Sequence, residues 1–383
     1  MIYRASPGFG NVSNVNVKIK LDVPVAEQYE YKVMGIEMVH IPGGAFFLGD
    51  GISTNTFRQG GIGIMNPFLI TSESAMTLIN NSLNLWAEGA IGIVELSSAY
   101  PKGFLSFFCM KYEISQGQYA DFLNTITQDA AGNRYNQLHF NQHRYSITGN
   151  WPNFVSLTPN RACNWLSFQD LTAYLDWAAL SPMSEMEFEK ICRGGGQTAV
   201  SQEYAWSSNS IIDANLIISS TDGLADERIS DTTYMGIGIA NFNNDSILGP
   251  LRCGFAARAN TGRIEAGAGF YGVMEMSGNL TERCYSVFSS APSDGHLFTG
   301  SHGDGELTST PNAGFSNAGW PREGFNFIGT DSLAVANRGG SWRSISTQLR
   351  ISDRSEGVRW NYPDGTILGR HSSFGGRGVC RRQ

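Results

Sequence analysis

The sequence lacks most of the motifs that assign a function directly. Its six cysteines include no CxxC pair, which argues against a zinc ribbon or a redox motif. No EF-hand spacing surrounds Gly303, Asp304 and Gly305, so turn chemistry explains them better than a calcium site. We therefore expect no cofactor, and the sequence leaves metal binding open.

Long apolar runs are also missing. No stretch of 18 apolar residues occurs, and no charged and then apolar leader begins the chain. We expect a soluble protein that does not insert into a membrane and that carries no targeting segment as written. A protein from which a leader had been removed would look the same. The compartment stays open between the cell surface, the secreted space and a phage particle.

Charge is scarce and unevenly placed. Charged residues make up 16% of the 383 residues, and the net charge is −7. Residues 338–383 contain nine arginines, no lysine and three acidic residues, a net charge of +6, so the rest of the chain carries −13. The acidic total argues against nucleic acid as a partner, and a basic tail on an acidic body requires an explanation.

Glycine is abundant, and the chain is long enough for a large core. Its 45 glycines and 41% hydrophobic residues are typical of a loop-rich globular protein. The cysteines lie far apart, so their spacing demands no disulfide, and we expect buried free thiols that pack like small apolar residues. The six are Cys109, Cys163, Cys192, Cys253, Cys284 and Cys380.

Hydrophobic patterning predicts two domains of unequal size. Alternation over residues 11–24 predicts a half-buried strand in a small N-terminal β segment, residues 1–35. The second domain is predicted to span residues 36–383. Its stretches at about 50–100 and 286–336 are rich in small and polar residues and are interpreted as insertions.

Helix starts are indicated by capping boxes. Ser115 and Ser184 each begin such a box, and residues 168–178 carry a helical apolar face. Short helices are also predicted within residues 75–86. The acidic residues after Ser184 are interpreted as charges that suit the helix dipole rather than as a carboxylate site. They are Glu185, Glu187 and Glu189.

The C-terminal segment has neither a helical period nor a clean strand alternation. Residues 338–342 read Arg-Gly-Gly-Ser-Trp, residues 349–354 read Leu-Arg-Ile-Ser-Asp-Arg, and residues 375–380 read Gly-Gly-Arg-Gly-Val-Cys. Between these stretches lie small polar residues, arginines and aromatics, which are types that serve binding surfaces. A polar loop over a sheet is the alternative interpretation.

Six blocks follow one another in a characteristic order. They are residues 38–49, 111–119, 165–195, 204–206, 271–282 and 338–342. Together they resemble the formylglycine-generating enzyme, or sulfatase-modifying-factor, family. The resemblance implies an α+β fold of the C-type-lectin-like, formylglycine-generating-enzyme type, with two main helices against twisted antiparallel sheet and many loops.

Departures from the family pattern bear on function. The oxidase members carry two copper-binding cysteines after the Gly-Gly-Ser-Trp/Phe motif, and here Ser344 and Leu349 occupy those positions. Neither offers the thiolate that a cuprous ion needs, and Cys380 matches no ligand of the motif. The His-rich iron-binding domain of the sulfoxide-synthase relatives is missing as well.

The tail is most similar to the variable region of proteins served by diversity-generating retroelements, which share its frame spacing. This resemblance implies a non-enzymatic, receptor-type protein with a variable region at about 338–380 and no catalytic residues. The implied partner is a protein or cell-surface ligand, as for an adhesin. The resemblance also implies that Arg350, Arg354 and Arg377 are structural. Ligand identity and oligomeric state stay open.

Twelve residues of this segment are predicted to face the solvent on one patch and to bind ligand. They are Arg343, Ser344, Ser346, Gln348, Asp353, Ser355, Glu356, Arg359, Trp360, Tyr362, Asp364 and Thr366. Trp360 and Tyr362 are the predicted hot spots, because large aromatics with few torsions lose little entropy on contact. A core position for Trp360 is the alternative. Ile345, Leu349 and Ile351 are predicted to point inward.

Two other function classes stay open. A diverged formylglycine-generating or other redox enzyme would share the fold. A lectin would share it too, although the Glu-Pro-Asn and Gln-Pro-Asp triplets of calcium-dependent sugar binding are missing and residues 362–364 match only in part. Loss of the copper ligands favours the receptor over the enzyme.

Overall fold

The computed structural model describes residues 18, 28, 32–88, 94–215, 219–229, 235–243, 246–287, 303–305, 307, 335–356 and 369–381. The chain divides into two compact units, Met1–Ile36 and Glu37–Gln383. Nearly all of the predicted strand at 11–24 and of the predicted insertion at 286–336 lies outside the described residues. The domain boundaries proposed from the sequence stay predictions.

The described residues form four α-helices and sixteen short strands, which confirms the α+β class. The helices are α1 Gln116–Thr125, α2 Gln128–Arg134, α3 Phe168–Trp177 and α4 Glu185–Arg193. The first eight strands are β1 Met38–Ile41, β2 Phe46–Leu48, β3 Phe57–Gln59, β4 Phe68–Ile70, β5 Met76–Leu78, β6 Leu85–Ala87, β7 Val94–Leu96 and β8 Phe107–Met110. The others are β9 Ile147–Thr148, β10 Val155–Ser156, β11 Ser181–Pro182, β12 Ile211–Asp213, β13 Gly238–Ala240, β14 Glu282–Tyr285, β15 Val335–Arg338 and β16 Gly378–Arg381.

The C-terminal strand lies inside the main sheet. This antiparallel sheet has the order β1-β8-β16-β11, so β16 hydrogen-bonds to a strand on each side. Val379 pairs with Cys109 of β8 and with Ser181 of β11. Because an interior strand is held on both edges, the end of the C-terminal segment is anchored to the body.

Serine caps begin the three longest helices. Ser115, Ser167 and Ser184 each form a capping box, and the boxes at Ser115 and Ser184 and the helix after residue 167 confirm the sequence predictions. Helices α1 and α3 pack through aromatic rings, with Phe122 edge-on to Tyr174 at a centroid distance of 5.6 Å.

The predicted helices within residues 75–86 are wrong. The segment forms β5 and β6 of a second four-stranded sheet with the order β3-β6-β5-β7. Between the two strands, Asn81 Oδ1 accepts from the backbone N–H of Leu83 at 3.0 Å. Asparagine side chains that bond the nearby backbone favour a turn over a helix, and this turn interrupts the apolar spacing.

The core contains the expected free thiols. All six cysteines are unpaired, and four of them are buried. Burial raises the pKa of Cys109, Cys163, Cys192 and Cys284 above the ordinary thiol value. They behave as small apolar residues rather than as nucleophiles. No helix in the described part of the chain has the length and hydropathy that a membrane span requires.

Candidate binding face at the C-terminal segment

A pair of glycines turns the chain away from β15. Gly339 and Gly340 have φ values of +78° and +64°, which side-chain-bearing residues rarely adopt. A Cβ atom on Gly339 would lie 2.6 Å from the carbonyl oxygen of Met276, and one on Gly340 would lie 2.7 Å from Cδ1 of Leu349. The double glycine therefore permits both the turn and the close packing beneath it.

Ser341 and Trp342, which follow the two glycines, are buried. Trp342 is buried and donates from Nε1 to the carbonyl oxygen of Ser372 at 3.0 Å. Ser344 is also buried, which corrects the expectation that it faces solvent. Its Oγ accepts from the backbone N–H of Ser341 at 3.0 Å. Ser344 therefore closes the turn rather than presenting a contact group.

Five arginines of the C-terminal segment pair with carboxylates of the body, at nitrogen–oxygen distances between 2.5 and 3.1 Å. We call these five the arginine frame: Arg338, Arg354, Arg370, Arg377 and Arg381. Their carboxylate partners are Glu185 and Glu189 for Arg338, Glu185 for Arg354, Asp170 for Arg370, Glu282 for Arg377 and Glu187 for Arg381. The frame explains why a basic tail accompanies an acidic body.

Glu185 joins two frame arginines. Its carboxylate receives Nε and Nη2 of Arg354 at 2.6 and 2.9 Å, and Nη1 of Arg338 at 3.1 Å. Burial alone would raise the pKa of Glu185, but Arg354 and Arg338 hold it below the ordinary value. The acidic residues of α4 thus do more than suit the helix dipole, which corrects the sequence interpretation.

The residues between the frame positions include a short exposed stretch. Arg343 is exposed, and Ile345 is 59% exposed. Residues 346–348 are half-buried within a single 3-10 turn, Ser346–Leu349. We call this stretch the C-terminal face, defined as Arg343, Ile345, Ser346, Thr347 and Gln348.

The predicted in-and-out alternation is correct in part. Leu349 and Ile351 are buried as expected, but Ile345 is exposed, against the prediction. The reason is that residues 346–349 form a 3-10 turn with a period near three, whereas the prediction assumed a strand with a period of two. Asp353 is buried rather than exposed, and its Oδ1 accepts from Ser355 N–H at 2.9 Å.

The other predicted ligand residues fall into two groups. Ser355 and Glu356 are half-buried and follow the buried Arg354. The remaining five lie outside the described residues and stay predictions. They are Arg359, Trp360, Tyr362, Asp364 and Thr366.

Arg343 is held in a defined position without a carboxylate. Its Nη1 lies 2.8 Å from Nε2 of His371, and its guanidinium lies 5.7 Å from the ring centroid of Trp342. Because a guanidinium only donates, Nε2 of His371 is the acceptor of this contact. The other ring nitrogen, Nδ1, lies 2.6 Å from Ser373 Oγ and 3.3 Å from the backbone nitrogen of Ser373. The segment thus presents one oriented cation.

An aromatic flank borders this cation. We define it as His139, His143 and Trp165. The ring of Trp165 stacks on that of His139 with a centroid distance of 4.2 Å. The ring centroids of His143 and Trp342 lie 5.1 Å apart. Burial, together with the charge of Arg370, lowers the pKa of His139 to about 4, so this imidazole is neutral at physiological pH. Sequence reasoning missed the flank, because nothing local connects its members to Arg343.

Beneath the segment, three buried carboxylates surround Arg377. Arg377 Nε donates to Glu282 at 2.5 Å, while Glu113 accepts from Leu280 N–H at 2.8 Å. Burial raises the pKa of Glu113 well above its usual value, raises that of Glu282, and raises that of Glu275 to about 7. One guanidinium cannot neutralise three carboxylates, so the cluster retains protons near neutral pH.

The side chains at the family's copper positions do not fit a cuprous ion. Ser344 Oγ is occupied by hydrogen bonds within its turn, and Leu349 belongs to the main core beside Ile351 and Met276. A hydroxyl and an aliphatic chain supply no thiolate. The arrangement can support contacts with a ligand.

The chain matches known proteins over most of its length. Residues 25–361 match the family described as the sulfatase-modifying factor enzyme 1-like domain. Among solved structures, Treponema denticola variable protein 1 is 14% identical, over 92% of this chain and 98% of that one, with a TM-score of 0.40. PvdO from Pseudomonas aeruginosa is 15% identical, over 90% and 94%, with a TM-score of 0.40. Among curated proteins, none matches the chain.

Proposed function

The chain belongs to the sulfatase-modifying factor enzyme 1-like domain family, and from this premise we propose that it is a non-enzymatic member that binds a ligand through its C-terminal face. The ligand is a protein or another cell-surface molecule. The face is the diversified surface of a variable protein served by a diversity-generating retroelement. The family's C-type-lectin-like fold acts as its rigid support.

The observation that carries this proposal is the contrast between frame and face. The side chains of Arg338, Arg354 and Arg377 are 0% exposed, and each is paired with a carboxylate. The stretch between them includes the exposed Arg343 and Ile345 and the half-buried residues 346–348. A support fixed in this way keeps the entropic cost of ordering a binding surface low.

The contact residues follow from exposure. Of the described positions predicted from the sequence, Arg343, Ser346, Gln348, Ser355 and Glu356 remain candidates. Ser344 and Asp353 are assigned a supporting role, because both are buried in local hydrogen bonds. The five predicted positions between 359 and 366 remain part of the proposed surface on the strength of their sequence alone.

Sequencing the chromosomal neighbourhood tests the diversification. The expected result is a near-copy of the segment encoding residues 343–380, differing from it mainly at adenines and lying beside a reverse transcriptase gene. A locus without such a repeat would remove the retroelement from the account. Ligand binding by the face is tested separately, by selecting a random peptide library on the protein.

A further inference from the structure

The charge that is left over at the C-terminal face points to the chemistry of its ligand. Each member of the arginine frame has a carboxylate within 3.1 Å. Arg343 has no carboxylate partner within the described part of the chain, and its side-chain hydrogen bond there is to Nε2 of His371, a group without negative charge. Among the described residues, its positive charge is therefore not neutralised by a carboxylate.

Arg343 is also oriented before any partner arrives. His371 is buried and fixed by Ser373, and it holds one end of the guanidinium, while the Trp342 ring lies near it. A guanidinium fixed in this way loses less freedom on binding than a mobile surface arginine. Its remaining N–H groups suit the two oxygens of a carboxylate.

Strained backbone lies in the aromatic flank beside this cation. Trp165 and His143 have φ values of +62° and +46°, so their backbones lie in the left-handed region, which residues with bulky side chains rarely adopt. Trp165 is held in place because its backbone N–H donates to the carbonyl oxygen of His371 at 3.1 Å and its ring stacks on His139. Strain in a bulky residue persists where the surroundings fix it, and such positions cluster at functional sites.

The flank and the cation belong to one surface. The rings of Trp165 and His371 lie 6.3 Å apart, and His371 contacts Arg343 directly. Trp165 and His143 are both partly accessible. Ile345, two residues after Arg343, offers an exposed apolar side chain. A surface that combines a cation, an indole and an aliphatic group suits a peptide with a carboxylate beside apolar residues.

We propose that the ligand is a protein segment carrying an aspartate or glutamate, which Arg343 binds as a carboxylate, and that Trp165 and His143 extend the binding face beyond the C-terminal segment. This inference rests on the proposed function, since it names the partner of the same face. His371 acts as a positioning residue, because it reaches the ligand only through Arg343.

A random peptide library displayed on phage and selected on the full chain tests the inference. The expected wild-type pool is enriched in Asp and Glu over the input library. The Arg343→Glu variant should lose this enrichment and favour Lys and Arg instead. The control is Arg228→Glu, at an exposed arginine in the 219–229 loop, which should select the wild-type peptides.

Binding of one selected acidic peptide separates the flank from the cation. Arg343→Gln should weaken it at least about tenfold, the effect of losing one charge-assisted contact. Trp165→Ala should weaken it too, with thermal unfolding used to check that the variant is folded. His143→Ala provides a second flank variant if Trp165→Ala does not fold. Unchanged binding in the folded flank variants would remove the flank from the surface.

The outcomes distinguish the two proposals. Alanine at positions 343 and 345–348 together removes the side chains of the C-terminal face, and if that folded variant selects the wild-type peptides, the proposed function fails. A second outcome is that this variant loses the wild-type peptides, while wild type and Arg343→Glu select peptides of the same charge. In that case only the acidic-ligand inference fails. Enrichment of basic peptides by the wild type would also overturn the inference.

Discussion

Glu275 is a buried carboxyl group whose ionisation opposes folding. Burial raises its pKa from 4.5 to about 7, and Arg377 and the N–H of Gly254 only partly offset this. The unfolded chain releases the proton at its ordinary pKa, so the folded state binds the proton more tightly. The contribution of this group to the free energy of unfolding is therefore fully present below about pH 4.5 and is lost as the pH rises through about 7.

The Glu275→Gln variant should remove this pH dependence. The amide keeps an acceptor for Gly254 N–H, which bonds Glu275 at 2.9 Å, but cannot ionise. Between about pH 5 and about pH 8, wild type should lose stability relative to the variant by up to roughly 3 kcal/mol. Urea unfolding at both pH values measures the difference. A constant gap between the two proteins would show that Glu275 titrates normally.

Gly340 tests the turn below the C-terminal face. Gly340→Ala places a methyl group 2.7 Å from Leu349 Cδ1 at a φ of +64°, and should cost about 2–3 kcal/mol. The matched control is Gly196→Ala, which has a φ of +68° and nothing within 4 Å of the new methyl group. It should cost only about 1 kcal/mol, the backbone term alone. If urea unfolding shows that both variants lose the same free energy of unfolding, the packing against Leu349 is not tight.

At the scale of elements, α4 and the C-terminal segment form one unit. Glu185 and Glu189 form ion pairs with Arg338, and Glu187 forms one with Arg381 of β16. These partners lie 149 to 194 residues apart in the chain. The segment is therefore held by long-range ion pairs at both its beginning and its end.

Glu185→Gln should destabilise the protein strongly. Two buried guanidinium groups would lose their shared carboxylate, and breaking a buried pair costs about 3–5 kcal/mol because a charge is left uncompensated. The control is Glu37→Gln, in a pair with Lys111 whose side chains are 59% and 30% exposed, which should cost under about 1 kcal/mol. Similar unfolding midpoints for the two variants would contradict the role given to the frame.

Sequence patterns predicted the local parts of this arrangement. The capping boxes at Ser115 and Ser184 follow from residues three positions apart, and the family resemblance marked Arg354 and Arg377 as structural. The partners of those arginines could not be predicted, because periodicity carries no information about which distant carboxylates a buried guanidinium meets. The burial of Ser344 and exposure of Ile345 were missed for the related reason that a 3-10 turn replaces the assumed strand.

For the whole molecule, the account predicts no formylglycine-forming activity. Ser344 and Leu349 supply no thiolate for copper. A peptide containing Cys-x-Pro-x-Arg, incubated with the protein and added copper, should keep its cysteine when analysed by mass spectrometry. Turnover of this peptide would favour the diverged enzyme over the receptor.

Net charge at the molecular scale also predicts weak binding to nucleic acid. The frame arginines are neutralised within the protein, and the chain as a whole carries −7. Repulsion by the body opposes the phosphate backbone. Filter binding or fluorescence anisotropy with random DNA should show no affinity tighter than about micromolar at physiological salt. Tight binding that weakens steeply with salt would contradict this distribution of charge.

The C-terminal segment is divided into the arginine frame and the C-terminal face, and a mutational scan of residues 338–356 and 369–381 for resistance to proteolysis tests this division. The account predicts that substitutions at Arg338, Gly340, Trp342, Arg354 and Arg377 abolish resistance. It predicts that most substitutions at the five positions of the C-terminal face leave resistance within the range of synonymous controls, because exposed changes usually cost under about 0.5 kcal/mol. If the face positions prove as intolerant as the frame, the segment is core throughout and the receptor account is wrong.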